Sequence, residues 1–106
     1  MKRLVAAVII AYAGGCVAAL AVQHSVMQKG RVFSESALTI KKGDTILFVN
    51  DDNISHNILS TSPGNEFNLG SQPPGASAPV TFEKTGEASV MCAIHPRMKL
   101  SVTITD

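Results

Sequence analysis

The sequence contains no tryptophan, one tyrosine, two cysteines and three histidines among its 106 residues. Two cysteines are too few for a small fold held together by several disulfides. Nine lysines and arginines against eight acids give a formal net charge of +1. Neither a basic nucleic-acid surface nor an acidic tail is indicated. Because the chain has only two cysteines and three histidines, any site built from thiol and imidazole groups must use most of them.

An uncharged apolar segment lies near the start of the chain. Residues 4–22 carry no charge and follow a basic pair, one lysine and one arginine. A basic start, an apolar stretch and small residues ending at Ala21 are typical of a secretory signal that is cleaved after Ala21. The sequence therefore predicts a signal peptide over residues 1–21 and an exported domain over 22–106.

Two other interpretations of this segment stay open. Its length also suffices to span a bilayer as a helix. Uncleaved, it would anchor the chain with Lys2 and Arg3 on the inside. Lipid attachment at Cys16 is the third possibility, although Ala13 stands where such signals usually have leucine. All three interpretations export the domain, and the predicted location is the periplasm, either soluble or N-terminally anchored.

Loss of Lys2 and Arg3 with the leader would lower the formal net charge of the chain by two, from +1 to −1.

Cys92 is the only cysteine outside the apolar segment of residues 4–22. A single cysteine in an oxidising compartment has no internal disulfide partner. It is tolerated there either as a buried small hydrophobe or as a protected metal ligand.

The exported part has the pattern of short strands separated by turn residues, and no helix is predicted. A Gly-, Pro- and Ser-rich stretch from Thr61 to Pro79 is predicted to be a long loop, tethered to the core by Phe67 and Leu69. About seven strands at this spacing predict an all-β fold, a Greek-key β-sandwich or barrel. The predicted strands cover residues 23–33 with a break at 29–30, 37–40, 45–50, 54–60, 80–83, 87–92 and 100–105.

The segment VMCAIHPRMKL, residues 90–100, places Cys92, His95 and Met98 three residues apart. Pro96 prevents helical continuation, so a tight loop at one end of the sandwich is expected to turn these side chains toward one centre. A structural zinc site would need a fourth ligand and usually has several thiolates. One thiolate, one imidazole and a weak thioether are ligands of a copper electron-transfer site, which also requires a second histidine.

His24 and His56 are the candidates for that second histidine. His56 follows the strongest predicted strand, where the sandwich would hold it rigidly. His24 lies beside the cleavage site, where chain order is usually poor, and is predicted to be a strand or surface histidine without a ligand role. Met91 should point to the face opposite that of Cys92, so Met98 is predicted to be the thioether ligand.

These motifs together resemble the small type I copper proteins, cupredoxins of the plastocyanin, pseudoazurin and amicyanin kind. The resemblance covers residues 31–106 and rests on GDTILFVN, the following HN, the Pro/Gly-rich loop, FxxxG and CxxHxxM. The two-residue gap between His95 and Met98 is similar to the short ligand loop of amicyanin.

The resemblance implies a role for each residue of the motif. His56, Cys92 and His95 would be the three trigonal ligands of one copper, and Met98 the axial ligand. Asn57 matches the asparagine that ties the two ligand loops together by hydrogen bonds.

The resemblance also implies a function, one-electron transfer by a copper that cycles between Cu(I) and Cu(II). A redox protein would dock on the apolar surface near His95, which Ile94 and Pro96 flank, and the carrier would be a monomer. The chain departs from the family at Ala88 and Val90, where aromatic residues usually precede the cysteine. Packing beside the thiolate is therefore expected to differ.

Two rival functions use the same residues differently. A periplasmic copper carrier or buffer would need the ligands but no redox partner, and an adhesion or accessory sandwich would bind no metal. An enzyme is not expected, because four protein ligands leave no open position for substrate and no hydrolytic triad is evident. No nucleic-acid partner is predicted, and membrane association is expected only if the leader stays uncleaved.

Overall fold

The structure is a computed structural model that describes residues 20–106. Of the predicted signal segment, residues 1–19 lie outside the described part, including the alternative lipid site Cys16. Cleavage after Ala21 and the domain boundary at 22 therefore stay predictions. Among residues 20–106, none of the elements is a helix with the length and apolar character needed to cross a membrane.

Nine β-strands and no helix form the described residues. The all-β prediction is thus confirmed. Seven strands have three residues or more, and each overlaps one of the seven predicted strands, although β5 begins at Ile58 and not at Ile54; β2 and β6 have two residues each. The strands are β1 (Gln23–Lys29), β2 (Val32–Phe33), β3 (Ala37–Lys41), β4 (Thr45–Asn50), β5 (Ile58–Ser60), β6 (Phe67–Asn68), β7 (Ser77–Thr81), β8 (Gly86–Cys92) and β9 (Lys99–Thr105).

Two mixed sheets form the sandwich. One has the strand order β2-β1-β4-β7 and the other β3-β9-β8-β5-β6. The pairs β1–β4 and β3–β9 are parallel, whereas the other pairs are antiparallel. In the first parallel pair Val26 lies opposite Phe48. Strands that are neighbours in space are thus often distant in sequence.

Alternating side chains of the longer strands fill the core between the sheets. In β8, Ala88, Val90 and Cys92 are buried while their neighbours point outward, as the period of two in a strand requires. Phe48 of β4 is fully buried and its ring packs against that of Phe67 at 5.9 Å between centroids. Burial of such a side chain stabilises the fold by about 1.5–3 kcal/mol. The same alternation leaves the thiol of Cys92 inside, at the end of its strand.

The predicted loop over residues 61–79 is shorter than expected. It contains β6, and β7 already begins at Ser77, so Pro79 lies within a strand. Because β7 is an edge strand, Pro79 can lack an N–H group without breaking an interior ladder. Phe67 and Leu69 pack against the core as predicted.

Candidate metal centre

His56, Cys92 and His95 converge at one end of the sandwich. Cys92 ends β8, His56 lies in the connection from β4 to β5, and His95 lies in the turn from β8 to β9. The Cys92 Sγ is 3.6 Å from Nδ1 of His56 and 3.9 Å from Nδ1 of His95. One ligand atom from each residue lies within 4.8 Å of the others. These distances leave room for one ion between the three atoms.

Exposure differs among the three side chains. His56 and Cys92 are fully buried, whereas His95 is partly exposed. The two imidazole rings meet edge to face, with centroids 5.1 Å apart and planes inclined by 65°. Solvent and any partner therefore reach the cluster at the His95 side.

The turn after Cys92 is closed by its own backbone. The Met98 N–H donates to the His95 carbonyl at 2.9 Å, and the Cys92 N–H donates to the Met98 carbonyl at 3.3 Å. Met98 is thereby folded back beside Cys92, and its side chain is buried in the same core cluster. Met91 is only half-buried and alternates with the buried Cys92, so it faces the other side of the sheet as predicted.

Asn57 joins the two segments that carry the cluster, mainly through its backbone. Its N–H donates to Cys92 Sγ at 3.3 Å, and its carbonyl accepts the Ala93 N–H at 2.8 Å. Its side-chain amide donates instead to Asn68 Oδ1 at 2.7 Å. The Asn57 N–H thus fixes the position of the Cys92 sulfur relative to the loop that carries His56.

Asp52 was not singled out by the sequence, yet it contacts the buried histidine directly. Its Oδ2 lies 3.0 Å from His56 Nε2 and accepts the Arg31 N–H at 3.0 Å. The Arg31 N–H and then the His56 ring hold the pKa of the Asp52 carboxyl well below its usual range. A carboxylate acceptor at Nε2 keeps the ring proton there and leaves the Nδ1 lone pair toward Cys92.

A buried amide network fixes the His56 segment. Asn50 donates to the carbonyls of Ile54 and Gln72 at 2.9 and 2.8 Å. The backbones of His56 and Gln72 exchange two hydrogen bonds of 3.1 and 2.7 Å, and Gln72 also donates to the Phe48 carbonyl at 2.9 Å. Satisfied buried polar groups of this kind make one loop conformation strongly preferred. The sequence signal for Asn50 was a polar residue at an inward position of β4.

His24 lies in β1, away from the cluster. Its Nε2 is 3.0 Å from Asp44 Oδ2. Asp44 directly precedes β4, whereas the cluster lies beyond the last residue of that strand, so the pair occupies the other end of the sandwich. The His24 hydrogen bond, followed by the N–H groups of Lys41 and Val22, lowers the pKa of Asp44 from 3.8 to about 2.

The donor set of the cluster fits copper. One thiol and two imidazole nitrogens are the trigonal donors of an electron-transfer copper site. The three atoms are close enough to share one ion, and two of their side chains are fully buried. A closed structural zinc site is less well matched, because these usually have several thiolates.

Comparison with known families agrees with this donor set. Over residues 20–105 the sequence matches the family model described as "Copper binding proteins, plastocyanin/azurin family". The match includes every strand of both sheets.

Two curated relatives carry the name methylamine utilization protein MauL. The one from Methylorubrum extorquens is 34% identical over 71 residues, which are 66% of this chain and 62% of the relative. The one from Methylophilus methylotrophus is 32% identical over 84 residues, which are 76% of this chain and 48% of the relative. The chain thus spans between about half and three fifths of the length of these relatives.

Solved structures share the fold. A novel purple cupredoxin from Nitrosopumilus maritimus matches with a TM-score of 0.69 and 26% identity, over 77% of this chain and 99% of the other. A copper-containing nitrite reductase from Thermus scotoductus matches with a TM-score of 0.73 and 25% identity, over 92% of this chain and 25% of the enzyme. A Cu(I) form of an amicyanin variant shares the fold at 24% identity and a TM-score of 0.69, over 83% of this chain and 85% of the other.

Proposed function

Because this chain belongs to the plastocyanin/azurin family of copper-binding proteins, we propose that it carries single electrons between redox partners in the periplasm. Its cofactor is one copper, held in a cupredoxin sandwich. The observation that carries the proposal is the convergence of Cys92, His56 and His95 in a cluster with two buried side chains and one partly exposed ring. Such a centre is shielded from water but open to a partner at one edge.

We assign the copper ligands from these positions. The Nδ1 atoms of His56 and His95 and the Sγ of Cys92 would hold the copper, and the thioether of Met98 would be the weak fourth donor. The burial of Met98 beside Cys92 supports this choice over the half-buried Met91. When bound, copper supplies the one-electron change between Cu(I) and Cu(II), which soft and borderline donors of this set accommodate in both states.

The residues around the ligands favour electron transfer over copper delivery. Asp52 holds the His56 ring, the Asn57 N–H holds the Cys92 sulfur, and the Asn50–Gln72 network holds the loop between them. Ligands fixed in this way move little when the charge changes.

Voltammetry and copper exchange of the loaded protein test the proposal together. We expect a reversible one-electron wave, and retention of copper over hours in the presence of bathocuproine, a strong Cu(I) chelator. An irreversible wave combined with rapid copper loss to the chelator would identify a copper carrier or buffer instead.

We also propose that the leader is removed after Ala21, which leaves a mature domain of residues 22–106. The backbone nitrogen of Val22 lies 2.9 Å from Asp44 Oδ1. As a terminal ammonium this nitrogen would form a charge-assisted hydrogen bond with the carboxylate, which is stronger than the amide contact. N-terminal sequencing of the periplasmic protein should begin at Val22. Recovery only in membranes with Met1 intact would show an anchor.

A further inference from the structure

A depression of about 440 Å³ opens beside the exposed edge of His95. Two segments form it, the β1–β2 turn with the first residue of β2, and the turn between β8 and β9. Val32, the first residue of β2, and Ile94, in the β8–β9 turn, are 58% and 55% exposed. Within residues 20–106 the other large hydrophobic side chains with such exposure are Leu20 and Val22. The exposed apolar surface beyond the start of the domain is therefore concentrated next to the proposed copper ligand.

Two arginines line the same depression. Arg31 and Arg97 belong to the two turns that form it. Neither guanidinium takes part in an ion pair with any residue of the described part of the chain. The neighbouring carboxylate of Asp52 is occupied by His56 and by backbone N–H groups. Both arginines are thus available to an incoming partner.

The β1–β2 turn is fixed relative to the metal centre. Arg31 has a positive φ of 60°, which is uncommon for a residue other than glycine. Its N–H donates to the Asp52 oxygen that also lies 3.0 Å from His56 Nε2. Strand pairing places Lys29 opposite Val32 and closes the turn. The depression is therefore a preformed surface whose position follows that of the ligand loop.

We propose that this depression docks a redox protein whose contact face presents carboxylates around an apolar centre, and that Arg31 and Arg97 select that partner by charge. The inference rests on the proposed function and specifies the chemistry of the partner. Val32 and Ile94 supply the short-range apolar contact, and guanidinium groups pair with carboxylates in a bidentate geometry. Opposite charges at the rim accelerate encounter more than they strengthen the complex. Such weak redox complexes need only a small interface.

One electron passes between copper and the partner through the His95 edge, without transfer of atoms or protons. If the partner's centre is a haem iron, oxidation of Cu(I) to Cu(II) is balanced by reduction of Fe(III) to Fe(II).

Stopped-flow kinetics with two c-type cytochromes test the charge selection. The probes are an acidic cytochrome c and a basic mitochondrial cytochrome c, each mixed with the reduced, copper-loaded protein. The test variant is Arg31→Gln/Arg97→Gln. The matched control is Lys41→Gln/Lys42→Gln, which removes the same charge from exposed positions at the far end of the sandwich, before β4.

We expect the arginine double variant to lower the rate constant with the acidic cytochrome about tenfold at low salt. The lysine control should lower it less than about twofold. Raising the salt from about 0.01 M to about 0.15 M shortens the Debye length from about 30 Å to about 8 Å and should remove most of the difference. Arg31→Lys/Arg97→Lys should keep most of the rate, since charge is retained.

An equal decrease of the rate constant in the arginine and lysine double variants would overturn the inference, because net charge alone would then explain the rate. No preference for the acidic cytochrome would also overturn it, as would arginine-dependent binding to phosphatidylglycerol vesicles with unchanged cytochrome kinetics. In each case a reversible copper wave would leave the proposed function standing. Loss of that wave in the unmodified protein is the separate result that would reject electron transfer itself.

Discussion

The Nε2 atom of His56 lies 3.0 Å from the Oδ2 atom of Asp52, four residues earlier in the chain. The same oxygen accepts the backbone N–H of Arg31 at 3.0 Å. One carboxylate therefore connects the loop of a proposed copper ligand to the β1–β2 turn of the docking surface. It also fixes which ring nitrogen of His56 carries the proton, and so which nitrogen faces Cys92.

Replacing Asp52 should change the copper site without removing a ligand. Loss of such an outer partner typically weakens metal binding by about 10–100-fold. We expect Asp52→Ala to weaken Cu(II) binding by this factor and Cu(I) binding less. If Cu(I) affinity is unchanged, the reduction potential rises by about 60–120 mV, since a tenfold ratio equals about 59 mV for one electron. Voltammetry gives the potential, and ¹⁵N NMR of the copper-free protein gives the His56 tautomer.

Asp51→Ala is the matched control for this variant. Asp51 is the adjacent carboxylate, half-exposed and 3.9 Å from the Lys29 ammonium, and its removal should leave both readouts unchanged. If Asp52→Ala kept the native reduction potential and the native His56 tautomer, the role of Asp52 would be limited to closing the turn.

Sequence reasoning could not choose between Asp51 and Asp52. Both belong to one polar turn, and the choice of the inward carboxylate depends on Arg31, which is 21 residues from Asp52. In the same way Val32 reaches the His95 surface only because β1 pairs with both β2 and β4. Such contacts between distant segments leave no local pattern in the chain.

Met98→Gln is expected to keep copper bound and to lower the reduction potential. A thioether is a soft donor that favours Cu(I), whereas an amide oxygen is harder and favours Cu(II), and the axial ligand tunes these sites. Met98 is 1% exposed and lies in the cluster of buried residues that includes Cys92. Voltammetry of the loaded variant measures the shift.

Arg97→Ala and a Met91 variant serve as comparisons for Met98→Gln. Arg97 is the neighbouring residue and its loss changes charge without removing a ligand, so its shift should be smaller. A larger shift from Met91 than from Met98, or no shift from Met98→Gln, would assign the axial position to another residue or leave it empty.

Asn57→Ala should destabilise the fold slightly and leave the copper spectrum unchanged. The side chain of Asn57 donates to Asn68, whereas its backbone N–H, which every residue except proline retains, donates to Cys92 Sγ. Loss of one such side-chain hydrogen bond costs about 0.5–1.5 kcal/mol. Denaturant unfolding of Asn57→Ala, Asn68→Ala and the double variant measures the coupling. A changed spectrum in Asn57→Ala alone would mean that its side chain acts on the copper site.

The pair of His24 and Asp44 should give stability that depends on pH. The His24 hydrogen bond and two N–H groups lower the pKa of Asp44 to about 2, below the value of about 3.9 in an unfolded chain. A carboxyl group with a depressed folded pKa stabilises the fold fully above about pH 4 and loses that contribution as the pH falls toward about 2.

Denaturant unfolding of the copper-free protein between about pH 2 and pH 7 tests this, with Asp44→Asn as the variant. The stability difference from the unmodified protein should be constant above about pH 4 and shrink below it. Asp51→Asn, at a half-exposed surface ion pair, should have a much smaller effect. A difference between Asp44→Asn and the parent that stays constant down to pH 2 would contradict the prediction.

Much of the fold can be predicted from the alternation of apolar and polar residues along the sequence. The bounds of β4 were predicted correctly, and those of β8 and β9 to within one residue, because their apolar side chains alternate clearly. The inward position of Cys92 follows from the same alternation. Strand β7 was not fully recognised, since Pro79 lies in an edge strand, where a missing N–H group carries little cost. The parallel pairing of β1 with β4 is a property of the whole sandwich and could not be derived from either strand.

The most direct test of the central claim is the visible absorption spectrum of the oxidised, copper-loaded protein beside that of Cys92→Ser. A thiolate bound to Cu(II) gives an intense charge-transfer band, whereas an alcohol is a poor ligand at neutral pH. We predict a strongly coloured protein, loss of the band in Cys92→Ser, and an unchanged band in His24→Ala, whose imidazole is bound to Asp44 at the other end of the sandwich. A copper adduct without that band, or a band that persists in Cys92→Ser, would contradict the assignment of Cys92, His56 and His95 as the copper site.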